Sequence, residues 1–174
     1  MRLFALAATA ALSACADNSA RPRTPAPAQS PATANATANL ISISYSTSAC
    51  FGGCPVYAVT VTSDGRGLWE GQRFVATTGE RAFAVTPGQF AAFASALARH
   101  RPNGDRRLVT QAECPQFATD LDGVDVVWTD RAGRRDVLSA YFGCDMESNR
   151  TMFAELKAAI HALPIVALIG PAGS

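Results

Sequence analysis

The 174-residue chain carries little charge: 17% of its residues are Asp, Glu, Lys or Arg, and its formal net charge is +1. A near-neutral chain lacks the basic footprint with which proteins hold nucleic acid. It has only two histidines, His100 and His161. No Gly-rich phosphate loop, Gly-x-Ser-x-Gly elbow or His-Glu-x-x-His helix occurs, so the common marks of nucleotide binding, serine hydrolysis and zinc proteolysis are missing. No apolar run approaches the roughly 20 residues that span a bilayer. These absences leave no cofactor and no metal to expect, and they favour a chain that is not an enzyme.

What is present begins at the N-terminus, where Met1 and Arg2 precede an apolar stretch, Leu3 to Leu12, broken only by Thr9. This is the pattern of an export signal. It ends in Leu12-Ser13-Ala14-Cys15, which resembles the lipobox of bacterial lipoproteins, where cleavage precedes the cysteine and its sulfur takes a diacylglycerol. The resemblance implies residues 1–14 as signal peptide and Cys15 as the lipidation site, with palmitate-type acyl chains and the membrane as partner. Two or three acyl chains hold a protein firmly where one does not. Ala16, rather than an aspartate, follows the cysteine, so the resemblance implies the outer membrane, facing the periplasm.

From Ala16 to Asn39 the composition shifts to Pro, Ala, Thr, Ser and Asn, with Pro22, Pro25, Pro27 and Pro31 and no large apolar residue. Such a segment cannot bury enough surface to fold. Residues 15–39 therefore read as a lipidated tether, spanning roughly 25 to 30 Å as a coil and up to about 75 Å as an extended polyproline rod. The remaining stretch, 40–174, is the size of one domain, with 12 basic and 13 acidic residues.

Four cysteines remain in it, Cys50, Cys54, Cys114 and Cys144. Export favours disulfides, since oxidising compartments preserve them. Four cysteines allow three connectivities, and spacing alone does not choose among them. Cys50 with Cys54 and Cys114 with Cys144 is the favoured set, because the first two are near neighbours in a loop and the other two flank one hairpin.

Ile41, Ile43 and Tyr45 alternate with serines, and Tyr57, Val59 and Val61 alternate with Ala58, Thr60 and Thr62, the period-two pattern of half-buried strands. Ser63-Asp64-Gly65 then turns the chain back into Gly67 to Glu70. Arg73 to Thr77 and Arg81 to Val85 read as a further hairpin around Thr78-Gly79. Thr86-Pro87-Gly88-Gln89 has the form of a capping box with proline at the first helical position, and Phe90, Phe93, Ala94 and Leu97 make one apolar stripe. Residues 102–123 read as an irregular loop pinned by Cys114. Val124 to Trp128 and Val137 to Tyr141 read as a hairpin turning near Gly133. A second helix is expected from about Asp145, with Phe153, Leu156, Ile160 and Leu163 inward and Pro164 closing it. Ile165 to Ile169 reads as a short strand or a packed tail. The expected fold is α+β, an antiparallel sheet with two helices packed on one face, stapled by disulfides.

Cys50-Phe51-Gly52-Gly53-Cys54-Pro55-Val56-Tyr57, running into a strand that ends at Asp64-Gly65, resembles the signature of the bacterial domain-of-unknown-function family 6438. The likeness extends to Gly71, to Thr119-Asp120 and to Leu168-Ile169-Gly170, where the family has a tryptophan in place of Leu168. It spans Leu40 to about Gly170. Cys114 and Cys144 are additions to the family pattern, which supports a separate Cys50–Cys54 pairing. The resemblance implies secretion and often a lipid anchor; it implies no activity.

Cys-x-x-x-Cys-Pro is also the copper and thiol motif of Sco-type chaperones, and soft thiolates with an imidazole from His100 or His161 would suit Cu(I). In those proteins the motif opens a helix, whereas here Pro55 leads into a strand. His100, between Arg99 and Arg101, reads as a solvent-facing helix end, and His161 as a surface or boundary residue. Asp120, Asp122, Asp125 and Asp130 lack the ligand spacing and terminal bidentate Glu of a calcium loop and read as solvated. Arg99, Arg101, Arg106 and Arg107 read as a solvated turn. Two functions compete on these residues. One is a non-catalytic cell-envelope lipoprotein domain with a binding or structural role toward an envelope protein or cell-wall partner. The other is a periplasmic thiol-redox or copper-handling protein using Cys50 and Cys54.

Overall fold

A computed structural model describes residues 39–170. The signal segment, Cys15 and nearly all of the tether lie outside the described residues. Seven strands form one sheet: β1 (Leu40–Thr47), β2 (Val56–Thr62), β3 (Arg66–Arg73), β4 (Gly79–Ala84), β5 (Asp105–Leu108), β6 (Gly123–Asp130) and β7 (Arg135–Tyr141). The helices are α1 (Pro87–Ala98), α2 (Met146–Ala159) continuing as a 3-10 turn at Ile160–Ala162, and α3 (Val166–Ile169). The strand order is β4-β3-β2-β1-β6-β7-β5, antiparallel throughout except for β5 beside β7. The result is the expected disulfide-stapled α+β fold.

Alternation decides which face of the sheet is dry. Ile43, Tyr45, Val59, Val61, Trp69, Val126, Trp128 and Leu138 are buried under the helices, while Ser44 and Thr60 pair hydroxyls at 2.9 Å on the uncovered face. Tyr45 ties both helices to this core: its ring meets Phe93 of α1 edge-on, and its hydroxyl donates to the Leu156 carbonyl of α2 at 3.2 Å. The expected capping box is formed. Thr86 Oγ1 accepts from the Gln89 N–H, Gln89 Oε1 accepts from the Thr86 N–H, and Pro87 opens α1.

Three local expectations are corrected, and for Ile165 to Ile169 the packed tail holds over the strand. Ile41 points outward because the register shifts between Leu40 and Ser42, and Leu40 takes the buried place instead. Arg73 to Thr77 is not a separate strand: β3 runs unbroken to Arg73, and the reversal falls at Phe74, which has a positive φ of 55°. The stretch 102–123 is not wholly irregular, since Asp105–Leu108 pairs in parallel with Val137–Ala140. Ile165 to Ile169 forms no strand but the single turn α3, with Ile165 buried beneath it.

Candidate functional site

The strand register separates the molecule into two ends. Leu40, the Ser63–Gly65 turn and the Arg131–Arg134 turn lie at one end; Thr47, Val124 and Ala140 lie at the other. Tight turns close the first end. The second carries the long connections, residues 48–55, 74–78 and 109–122, together with both disulfides.

Cys50 and Cys54 are bonded to each other, with Cα atoms 5.7 Å apart, and Cys114 is bonded to Cys144, with Cα atoms 5.1 Å apart. The short bridge shapes the β1–β2 connection. Thr47 Oγ1 donates to the Pro55 carbonyl at 2.8 Å and accepts from the Tyr57 N–H at 3.1 Å, while the Ser48 and Phe51 N–H groups donate to the Gly123 and Asp120 carbonyls. These bonds deliver Pro55 and Tyr57 to the mouth of the core. Tyr57 stacks on Trp69 at 4.8 Å, and the Trp69 Nε1–H donates to the Thr77 carbonyl at 2.9 Å. Gly71 makes that turn possible, because a Cβ there would collide with the Thr77 carbonyl oxygen. The Ala76 and Thr77 N–H groups then hold the carbonyls of Ile169 and Leu168, each at 3.0 Å.

Between these elements lies a cavity of about 470 Å³. Tyr45, Tyr57, Phe142, Ile160 and Ile169 provide apolar wall. Asp122, Lys157 and His161 provide polar rim. Burial first, and then the charge of Asp122, pushes the Tyr57 hydroxyl well above the ordinary phenol range. Burial, then Tyr57 and Asp122, does the same to Tyr45. Both phenols stay protonated at neutral pH and act as donors, not as nucleophiles. Tyr45 spends its proton on Leu156, whereas the Tyr57 hydroxyl has no partner among the described residues. Lys157 Nζ lies 3.4 Å from Asp122 Oδ1 and 4.2 Å from the centroid of the Phe142 ring.

Several residues singled out in the sequence are placed differently from expectation. His100 is not solvent-facing: its side chain is 9% exposed and its Nε2 lies 2.7 Å from Glu155 Oε2 on α2, while Arg99 reaches the other oxygen of that carboxylate. Arg101 is not part of a solvated turn, because its Nε donates to Asp136 Oδ2 at 2.6 Å, with Asp136 1% exposed. Burial alone would raise the Asp136 carboxyl; the Gly104 N–H and the bond and charge of Arg101, with Arg134 beyond, overcome it and hold the group below the usual carboxylate range. Asp130 is bound up in its own turn, accepting from the Ala132 and Arg134 N–H groups. His161, by contrast, is exposed as expected, on the cavity rim. Among the described residues, no three His, Cys, Asp or Glu side chains gather in a way that could hold a metal ion. Sequence reasoning missed Tyr57, Asp122 and Lys157 as neighbours, although each stands in a segment it had assigned.

These features define the class as a disulfide-stapled α+β domain with an aromatic cavity at the loop end of its sheet. A family model described as a domain of unknown function, DUF6438, matches residues 41–163, and the chain belongs to that family. The match stops before α3, short of the span expected from the sequence. No curated protein and no solved structure matches the chain.

Proposed function

We propose that the protein is a lipid-anchored lipoprotein of the cell envelope whose domain binds a ligand without chemically changing it, in the cavity between Tyr57 and Phe142. One observation carries the binding reading. Residues that bear the family resemblance, Pro55, Tyr57, Ile169 and Gly170, come from opposite ends of the domain and line one cavity. Gly71 and the Cys50–Cys54 bridge hold the segments that place them. Binding residues concentrate on loops held by a rigid scaffold, and a largely apolar cavity with a few polar groups is the usual form of a small-molecule site.

Placement in the envelope is supported by the lipobox-like Leu12 to Cys15, by the tether composition, and by the two disulfides, which suit an oxidising compartment. The tether joins at Asn39, next to the end of β1 that is remote from the cavity. The attachment point therefore leaves the cavity clear of the tether. The copper or thiol reading has less behind it, because Pro55 leads into β2 and does not open a helix.

Two measurements test this reading. Labelled palmitate should enter the full chain and fractionate with membranes, and Cys15→Ala should lose both properties; a Cys15→Ala protein that stayed membrane-bound and labelled would refute the anchor. A fragment screen of the full chain, read on the Tyr57 and Phe142 ring resonances, should find saturable hits. A screen of cationic, anionic and neutral fragments that shifted neither ring would remove the cavity as the site.

A further inference from the structure

Lys157 is the only lysine in the chain; the other 14 of its 15 basic residues are arginines. Its ammonium rests on the face of Phe142 and against Asp122, within the cavity also lined by Tyr45 and Tyr57. An aromatic face beside a carboxylate is the arrangement that recognises organic ammonium groups. We propose that this seat is the ligand-recognition point of the cavity, that it takes an alkylammonium group, and that Lys157 is a built-in occupant which the ligand displaces. The inference rests on the cavity being the ligand site.

Three features point this way. The Lys157 side chain is 53% exposed and Asp122 22%, with 3.4 Å between them, so the pair is a weak one that an entering cation can replace. Phe142, by contrast, is 5% exposed and packs edge-on against Phe153 at 5.0 Å, so the ring stays when the lysine leaves. The charge balance also selects a cation. An incoming ammonium replaces an outgoing one and leaves Asp122 paired, whereas an incoming carboxylate would have to share one lysine with Asp122 at close range. The Tyr57 hydroxyl remains available to donate to an acceptor elsewhere on the ligand.

The test uses the full lipidated chain in nonionic detergent, with butylammonium, butanol and butyrate as probes of one body and three charges. Butylammonium should bind tightest and butyrate weakest. Lys157→Ala should tighten butylammonium by up to roughly five-fold by vacating the seat, and Asp122→Asn should weaken it by a similar factor, because a partly exposed ion pair is worth no more than that. Reductive methylation gives a second readout that needs no variant. Butyltrimethylammonium, which has no N–H and so does not consume formaldehyde, should speed modification of Lys157, read from its peptide mass, because displacement sends the amine into water. Preference for butyrate, weaker ammonium binding in Lys157→Ala, or protection of Lys157 by butyltrimethylammonium would each overturn the inference while leaving a binding cavity in place. Silence from all three probes would overturn the cavity reading and this inference together.

Discussion

The two ends of the sheet are secured by different chemistry. At the tether end, tight turns are held by hydrogen bonds and by the buried Arg101–Asp136 pair, at 2.6 Å with a second bond from the Gly104 N–H at 2.9 Å. At the cavity end, long connections are held by Cys50–Cys54 and Cys114–Cys144, and the carboxylate–cation pair there, Asp122–Lys157, is longer and more exposed. Short turns supply their own hydrogen bonds, and ion pairs such as Arg101–Asp136 and Arg134–Asp130 complete them. Two of the three longer connections are tied covalently, and the cavity lies beside them. A carboxylate–cation pair thus does opposite jobs at the two ends. Buried and doubly hydrogen-bonded it locks the chain; half-exposed over an aromatic ring it stays exchangeable.

The largest effect that would sharpen this comparison is removal of the long bridge. Cys114→Ala with Cys144→Ala should cost up to about 3.7 kcal/mol by the chain-entropy estimate, read as a lower urea midpoint. Next comes Arg101→Met, which strands a buried carboxylate and should cost about 3 kcal/mol. The sign with pH follows from the lowered carboxyl of Asp136. Its contribution is fully present above the ordinary carboxylate pKa and is lost as pH falls through the lowered folded value. Urea unfolding between about pH 5 and pH 2 should therefore show a steeper acid loss in the parent than in Arg101→Met.

Removing the short bridge with Cys50→Ala and Cys54→Ala should cost up to about 2 kcal/mol, because the loop it closes is small. Its larger consequence should be on the Tyr57 resonances, since Pro55 and Thr47 lose their fixed geometry. Lys157→Ala should come last, at under about 1 kcal/mol. A Lys157→Ala cost equal to that of Arg101→Met would break the comparison, because the cavity-end pair would then be a lock as well.

Much of the frame was legible from local pattern. The alternation in β1, β2, β6 and β7 and the capping box of α1 are properties of neighbouring residues, and each element formed where its pattern stood. Pro164 likewise ended the α2 segment as expected. β5 was not legible, because Asp105-Arg106-Arg107-Leu108 has no apolar alternation and forms only as an edge strand against β7. Arg101 looked like a surface charge for a similar reason: it sits among other arginines, from Arg99 to Arg107, and only its pairing with Asp136 buries it.

By itself, then, the sequence determined the main strands and the two long helices, the oxidisable cysteine set and the family, because these depend on spacing within short windows. Tertiary structure alone decided the cavity. Tyr45, Tyr57, Asp122, Phe142, Lys157 and Ile169 meet because β1 lies between β2 and β6, and because α2 returns across that face. The same packing chose which arginine is buried and set the lone lysine on a ring, since burial and partner distance belong to the folded chain and to no residue alone.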